Sequence, residues 1–361
     1  MDKNPQLSGT DRAARVLGPA LMLMLMLAGT LLGVAQPVAA QTPAAAPKTC
    51  APEGDLHFVC NLVSVEDFLP VDGGRWLVGG SYIEKSVGLY LIDSEAKSAK
   101  PVILSLAAKP DPRYAGCAAP DLKALQTHGL DVRQVDGHTR VYVINHGGRE
   151  SVEIFELHPA SDTAEWIGCA LPPEGVSSNS ITAMAAGAFA ITKFMDTHDK
   201  NGFQHILSGQ VTGTVYLWKS GKGFSEVPGT RFSGDNGILS SPDGRWLYIN
   251  AYGSREIYRV PLSGHGQRSV AKVDFCPDNL RWAPDGSIFV TGQFINAQSL
   301  NTLHGWATVR LDPKTMTTTP VVKEAGLKVF DDATSTVQVG QTLWFGTFRG
   351  DRMAYRALPN P

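Results

Sequence analysis

A short cassette, a tight turn followed by a strand, recurs along the chain. It reads PVDGGRWLVGG at residues 70–80, SPDGRWLYINA at 241–251 and APDGSIFVTGQ at 283–293. Pro fixes φ, Asp hydrogen-bonds its own backbone and Gly accepts positive φ, so each copy predicts a turn that leads into an apolar strand. The last two copies are about 42 residues apart, a spacing typical of one four-stranded propeller blade. The alternative fold, a pair of β-sandwiches, would not explain such a repeat.

Short apolar runs bounded by Gly, Asp, Asn and Pro continue through the rest of the chain, and long helical patterns are rare. The 37 glycines and 23 prolines fit many turns in a folded chain, because the hydrophobic fraction stays at 43%. Examples of the runs are residues 75–79, 139–144, 213–218 and 341–346. Roughly 300 residues at about 50 per blade predict an all-β fold, a six-bladed β-propeller with a central channel.

The first forty residues have the pattern of a secretory signal peptide. Lys3, Arg12 and Arg15 precede an apolar run that begins at Val16, and small residues end the segment at Ala40. The run is about twenty residues long, so the alternative is an uncleaved membrane anchor. Either way we expect an exported protein, periplasmic or secreted, that contacts a membrane only if this segment is kept.

The remaining chain divides into a short leader and one domain. Residues 41–48 are rich in Ala and Pro without periodicity, which predicts a disordered leader, and residues 49–361 are expected to form the single propeller domain. The formal net charge is -2 and there is no basic block, so nucleic acid is not an expected partner.

Five cysteines in an exported chain predict disulfides with one thiol left over. Their connectivity does not follow from sequence alone. Our interpretation pairs Cys50 with Cys60 and Cys117 with Cys169, and leaves Cys276 free. Paired C-x-x-C spacing is absent from the sequence, which argues against a structural zinc site.

Pairs that contain polar residues stand ahead of apolar runs at five places. In a propeller, residues at such places are neighbours although they are distant in sequence. The innermost strands of all blades start at the same end of the channel, so residues just upstream of them converge. Carboxylate and amide oxygens suit a calcium ion. Two acids and three amides would leave that ion enough positive charge to polarise a substrate oxygen. The pairs are Glu66-Asp67, His128-Gly129, Asn179-Ser180, Asn236-Gly237 and Asp278-Asn279.

Six segments, VSVEDFLP, THGL, INHGG, SSNSI, GDNGI and PDNLRW, occur in an order and at a spacing that resemble a known superfamily. It is the paraoxonase-like and senescence-marker protein/gluconolactonase superfamily of calcium-dependent six-bladed propellers, and the resemblance covers about residues 61–348. The His-Gly and Asn-His pairs make the paraoxonase-like branch the most similar. The resemblance implies that one central calcium is bound by Glu66, Asn179, Asn236, Asp278 and Asn279.

The same resemblance implies a hydrolase that opens lactones or cleaves activated aryl esters. His128 would be the general base, with His146 behind it to orient it or shuttle the proton. In the gluconolactonase branch a metal-bound Asp is the proposed base, so Asp278 is the alternative. A G-x-S-x-G nucleophile elbow is absent from the sequence.

Two other functions remain open. One is a non-catalytic propeller that keeps a structural calcium and binds a ligand or a protein. The other is a strictosidine-synthase-like condensing enzyme, which shares the fold but lacks the metal ligands.

A second, structural calcium is a further implication of the paraoxonase-like resemblance. Its expected ligands are Asp67, the main-chain oxygen of Leu130 and the residue at position 180. Position 180 is Ser180 where the family has Asp, which removes a carboxylate and weakens the site. A water or a side chain from elsewhere would be the alternative occupant.

Overall fold

The computed structural model describes residues 50–83, 88–295, 303–325 and 328–358. Within these ranges the chain forms 25 strands and one α-helix, and the strands are arranged in six sheets. The innermost strand of each sheet contacts the innermost strands of the two neighbouring sheets, which closes a ring. The predicted all-β, six-bladed propeller is therefore confirmed. The predicted signal peptide and leader lie outside the described residues.

The first half of the chain contains the N-terminal strand and three blades. Strand β1 is His57–Cys60. Blade 1 consists of β2 Phe68–Val71, β3 Trp76–Gly80, β4 Leu89–Asp93 and β5 Ser98–Pro101. Blade 2 consists of β6 Ile103–Leu106, β7 Thr127–Val135, β8 His138–Asn145, β9 Ser151–His158 and β10 Thr163–Ala170. Blade 3 consists of β11 Val176–Ala183, β12 Phe189–Asp196, helix α1 Gly202–Leu207, β13 Thr214–Lys219 and β14 Gly223–Glu226.

The second half contains the other three blades. Blade 4 consists of β15 Asp235–Ser240, β16 Trp246–Ala251, β17 Glu256–Pro261 and β18 Ser269–Lys272. Blade 5 consists of β19 Cys276–Trp282, β20 Ile288–Ile295, β21 Leu303–Leu311 and β22 Thr318–Glu324. Blade 6 consists of β23 Ala333–Val339, β24 Thr342–Thr347 and β25 Arg352–Ala357, and β1 is its fourth strand. Short 3-10 turns occur at Asp72–Gly74, Pro112–Tyr114, Pro159–Ser161 and Ala185–Gly187.

The three cassettes occupy equivalent places in their blades. The turns in the 70–80, 241–251 and 283–293 segments join β2 to β3, β15 to β16 and β19 to β20, so each links the innermost strand to the next one outward. The repeat that predicted the fold is thus the first hairpin of a blade.

The hydrophobic core is divided into layers between neighbouring blades. Val78 of blade 1 and Val143 of blade 2 belong to one buried cluster, and five further clusters fill the other inter-blade spaces. The second strand of a blade, such as β3 or β24, is buried along almost its whole length. Strands buried on both faces read as continuous apolar runs rather than as alternating patterns.

Both predicted disulfides are present, joining Cys50 to Cys60 and Cys117 to Cys169, and Cys276 is a buried free thiol. Two disulfides indicate an oxidising compartment, as expected for an exported protein. In the described ranges the structure contains no helix long and apolar enough to cross a membrane.

Candidate functional site

The predicted site residues lie at irregularities in the innermost strands. Pairing between β7 and β8 skips from Thr127 to Leu130, which leaves His128 and Gly129 out of register. The same two-residue interruption leaves out the pairs at 179–180, 236–237 and 278–279. The prediction that these pairs precede their strands was therefore wrong for the pairs at 128, 179 and 278. β15 begins at Asp235, where the sequence indicates the start of that strand, and Glu66-Asp67 stands before its strand. Bulges of this kind redirect side chains, and they are common next to active sites.

Glycine is required in two of these bulges by close packing between blades. A Cβ atom on Gly129 would lie 2.4 Å from the carbonyl oxygen of Asn179 in the next blade. A Cβ atom on Gly237 would lie 2.3 Å from the carbonyl oxygen of Asp278. The side chain before each glycine is thereby held against the bulge of the neighbouring blade.

The bulges open into a cavity of about 720 Å³ at one end of the channel. Four of the five predicted calcium ligands line it together with both predicted catalytic histidines: Glu66, Asn179, Asn236, Asp278, His128 and His146. The fifth ligand, Asn279, is buried and donates a hydrogen bond of 2.6 Å from Nδ2 to Glu66 Oε1. The apolar part of the wall includes Phe194, Met195, Phe203, Tyr252, Ile295 and Phe348, and the lining also contains Tyr82, Ile83, Gln126, Ser177, Ser178 and Arg349.

The two carboxylates at the base of this cavity are buried close together. Burial raises the pKa of Glu66 well above its usual range, and the charges of Asp278 and Asp67 add to the rise. Burial also raises the pKa of Asp278 to about 7, against hydrogen bonds from Gln293 and Asn236 that lower it. Such a pair is costly to ionise unless a cation lies nearby.

The donor set fits a hard cation. Glu66 Oε2, Asn236 Oδ1 and Asn279 Oδ1 are buried oxygens without a hydrogen-bond partner. Buried acceptors are normally satisfied, so these oxygens, two on the cavity wall and one buried beside Glu66, suit a cation as their partner. The described residues contain no cluster of three His, Cys, Asp or Glu side chains that could hold a metal. A cation here would depend on amide oxygens as well as on the two acids.

The two histidines form a hydrogen-bonded chain that ends on a carboxylate. His128 Nδ1 lies 2.9 Å from His146 Nε2, and His146 Nδ1 lies 2.6 Å from Glu150 Oε1. The second Glu150 oxygen accepts a hydrogen bond of 3.4 Å from the Ser178 backbone N–H. A carboxylate can only accept, so His146 carries its proton on Nδ1 and accepts at Nε2 from His128 Nδ1–H. The free lone pair of His128 is then on Nε2.

That lone pair faces the candidate cation site, because His128 Nε2 lies 3.8 Å from Glu66 Oε2. The Tyr82 ring stacks on the face of the imidazole, with centroids 4.1 Å apart. Burial, followed by the neighbouring His146, lowers the pKa of His128 well below its usual range. In this tautomer a neutral imidazole has its accepting nitrogen toward the carboxylates, as a general base requires.

The residues predicted for a second calcium are arranged differently. Asp67 Oδ2 accepts hydrogen bonds from the Leu130 backbone N–H, at 2.9 Å, and from the guanidinium of Arg281. The Leu130 carbonyl oxygen accepts from the same guanidinium nitrogen at 3.1 Å. The Ser180 backbone N–H donates to Thr192, and no hydrogen bond joins Ser180 to Asp67 among the described residues. A side chain from elsewhere in the chain, Arg281, therefore contacts both expected ligands.

Sequence reasoning missed four side chains of this region: Tyr82, Glu150, Arg281 and Gln293. From the sequence, residues 147–150 are predicted to be the hairpin turn after His146, and the spacing of Glu150 from that histidine has no special meaning in a hairpin. Gln293, which donates to Asp278 Oδ2 at 2.8 Å, ends the third cassette, where the pattern predicts only a strand. Arg281 and Gln293 contact partners in other strands or blades, and Glu150 lies in the same β8–β9 turn as His146, so no local sequence pattern reveals these contacts.

Residues 128–352 match the family described as the SMP-30/gluconolactonase/LRE-like region. This match spans more than half of the chain. The chain belongs to the SMP-30/gluconolactonase/LRE-like family. The expected superfamily membership is therefore confirmed. A comparison with curated proteins finds no match.

Solved structures support the same fold for this family member. A luciferin-regenerating enzyme superposes with a TM-score of 0.53 and 14% identity, covering 83% of this chain and 92% of its own. A candidate gluconolactonase superposes with a TM-score of 0.51 and 13% identity, covering 86% of this chain and 96% of its own. At such identities the likeness concerns the fold alone.

Proposed function

We propose that this SMP-30/gluconolactonase/LRE-like propeller hydrolyses a lactone or an activated ester in the cavity, with one calcium ion held by Glu66, Asn179, Asn236, Asp278 and Asn279. The observation that carries the proposal is the set of buried oxygens without partners beside the accepting nitrogen of His128. A cation and a neutral base side by side are what ester hydrolysis by water needs.

Calcium bound there would draw electron density from the substrate carbonyl oxygen and stabilise the negative charge that develops on it. His128 Nε2 takes a proton from a water molecule while the oxygen of that water adds to the carbonyl carbon. As His128 becomes charged, its Nδ1–H bond to His146 and the Glu150 carboxylate behind His146 stabilise the charge. The bond from the carbonyl carbon to the ring or ester oxygen then breaks.

The leaving oxygen takes the proton back from His128, so that a lactone and water give a hydroxy acid. An ester and water give an acid and an alcohol or phenol. Asp278 has less freedom to act as the base, because its Oδ2 accepts a hydrogen bond from Gln293 at 2.8 Å. The apolar wall at Phe194, Phe203 and Tyr252 would contact the hydrocarbon part of the substrate.

The test is hydrolysis of a panel of aliphatic and aromatic lactones and aryl esters by the purified protein, before and after treatment with EDTA. We expect EDTA to abolish turnover and added calcium to restore it. Asn236→Ala should lose calcium and activity together, whereas Asn236→Asp, which keeps an oxygen ligand, should retain both. Turnover that persists after full metal removal would refute the proposal.

A histidine variant separates the base from the metal site. His128→Gln should keep calcium and lose most of the activity, by about 100-fold or more, since general bases contribute roughly 10²–10⁴-fold to a rate. His265→Gln is the matched control, because His265 is exposed. Bound calcium without turnover on any substrate of the panel would favour a ligand-binding propeller instead.

A further inference from the structure

A buried ion pair crosses the channel beneath the candidate calcium site. Arg281 lies in β19 of blade 5, and its partner Asp67 precedes β2 of blade 1. The side chains are only 4% and 0% exposed, respectively. The same Arg281 nitrogen, Nη2, also donates to the Leu130 carbonyl oxygen of blade 2, and Nη1 donates to the Leu280 carbonyl oxygen at 2.7 Å. One guanidinium thus connects three blades.

Every acceptor position of the Asp67 carboxylate is already used. Oδ1 accepts from the Phe68 backbone N–H at 2.9 Å and from Ser335 Oγ at 3.1 Å. Oδ2 accepts from the Leu130 backbone N–H and from Arg281. A carboxylate offers about four lone-pair positions. No lone pair is left for a metal, in contrast to the adjacent Glu66, whose Oε2 is without a partner.

We propose that the Arg281 guanidinium is a resident cation that takes the place of a second divalent ion beneath the candidate calcium site. Buried Asp67 needs a positive partner, and an arginine supplies one at every ordinary pH. A divalent ion bound to Asp67 and the Leu130 carbonyl would have to displace N–H donors from both oxygens and lie next to a like charge. Asp67 and the Leu130 carbonyl, as they are arranged in the described part of the chain, therefore do not form a metal site.

This ion pair also positions the candidate metal ligands. Asp67 follows Glu66 directly, and Arg281 lies two residues after Asn279 in the same strand. Pairing Asp67 with Arg281 ties together the two segments that carry Glu66, Asp278 and Asn279. Arg281 is thus a positioning residue whose effect on the site does not depend on any bound metal.

The test combines metal counting with thermal unfolding of the purified full chain. Calcium is the probe, counted by equilibrium dialysis, and Arg281→Met is the main variant. We expect Arg281→Met to lower the unfolding midpoint in EDTA by about 5–10 °C, because breaking a buried pair is strongly destabilising. Millimolar calcium should then recover part of this loss, with one more ion bound than in the wild type. Arg281→Lys should keep the wild-type ion count.

Two controls keep the outcome clear. Arg245→Met makes the same change at a guanidinium whose side chain is 77% exposed, and it should leave both measurements unchanged. Asn236→Ala removes the ion at the base of the cavity, which tests the proposed function separately. If the wild-type chain binds no calcium and Arg281→Met binds one ion, the calcium site of the proposed function is refuted and the role of Arg281 is not.

Three outcomes would overturn the role of Arg281. One is a wild-type chain that binds two ions, of which one survives Asn236→Ala. Another is an Arg281→Met chain as stable as the wild type in EDTA. The third is an Arg281→Met chain whose stability and ion count respond to calcium no more than those of the wild type. The number of calcium ions bound by the wild-type chain tests the role of Arg281 even if the Arg281→Met chain does not fold.

Discussion

At the scale of single residues, Glu150 extends the pair of His128 and His146 into a hydrogen-bonded chain of three side chains. Two neighbouring imidazoles alone leave open which nitrogens carry protons. The bond of 2.6 Å from His146 Nδ1 to Glu150 Oε1 fixes the arrangement, since the carboxylate accepts only. Glu150 does not touch the cavity, so its contribution is to hold the proton pattern and to stabilise charge on the imidazoles.

Replacing Glu150 should therefore lower the chemical rate without loss of metal. We expect Glu150→Gln to lower kcat by about 10–100-fold, with KM and bound calcium unchanged, because the amide keeps the shape but not the charge. Glu150→Asp should retain more activity than Glu150→Gln. The measurement is steady-state hydrolysis with calcium counted in parallel, and exposed Glu174→Gln is the control. A wild-type kcat in Glu150→Gln would exclude a role for the carboxylate in turnover.

How much of the site could be predicted from sequence depends on how its parts are connected. The pairs at 66, 128, 179, 236 and 278 could be named because each stands beside a strand run, and propeller geometry brings such places together. Arg281 could not be named, because its partner Asp67 is 214 residues away and nothing in either segment indicates the other. Contacts across the channel are set by the closed ring and not by local pattern.

At the scale of elements, the bulge is the unit that forms the site. The sequence indicates that the inner strand of blade 4 begins at Asn236-Gly237, and β15 does begin beside them, at Asp235. The pairing of β15 with β16 shows Asn236 and Gly237 inside β15, between Asp235 and Ile238. A bulge lets the strand continue outward in regular pairing while its first residues face the cavity. Asn-Gly is equally typical of turns and of bulges, so the local pattern alone does not separate them.

The glycine of this bulge is predicted to matter through packing. We expect Gly237→Ala to destabilise the fold by about 1–3 kcal/mol, because the added methyl group would lie 2.3 Å from the Asp278 carbonyl oxygen and must push blades 4 and 5 apart. Calcium affinity should fall as well, since Asn236 and Asp278 lie on the two sides of the clash. Denaturant unfolding and calcium titration measure the two effects.

Gly116→Ala is the matched control for this element. Gly116 is exposed, its φ is not in the left-handed region, and the nearest atom to an added Cβ is 4.0 Å away. The substitution should change neither stability nor calcium affinity by a measurable amount. Equal effects of the two substitutions would mean that inter-blade packing at Gly237 does not set the site.

At the scale of the whole molecule, the ring must be closed, and the closure was not predictable from local pattern. Repeats and apolar runs predicted six blades, and both disulfides were expected. Nothing in the sequence, however, assigns β1 to blade 6. His57 pairs with Tyr355, across almost the whole domain, so the first described strand completes the last blade. The parallel pairing of β6 with β10 likewise has no counterpart in the cassette.

The two disulfides act on this closure in different ways, which gives the last prediction. Cys60 ends β1, so the Cys50–Cys60 bond fixes the closing strand but spans only 10 residues, whereas Cys117–Cys169 spans 52. If chain entropy sets the effect, the double Ser variants should lose about 3 and about 4 kcal/mol of unfolding free energy, respectively. Denaturant unfolding of both variants decides the order. A larger loss for Cys50→Ser with Cys60→Ser would mean that ring closure by β1, and not loop length, dominates the stability of the propeller.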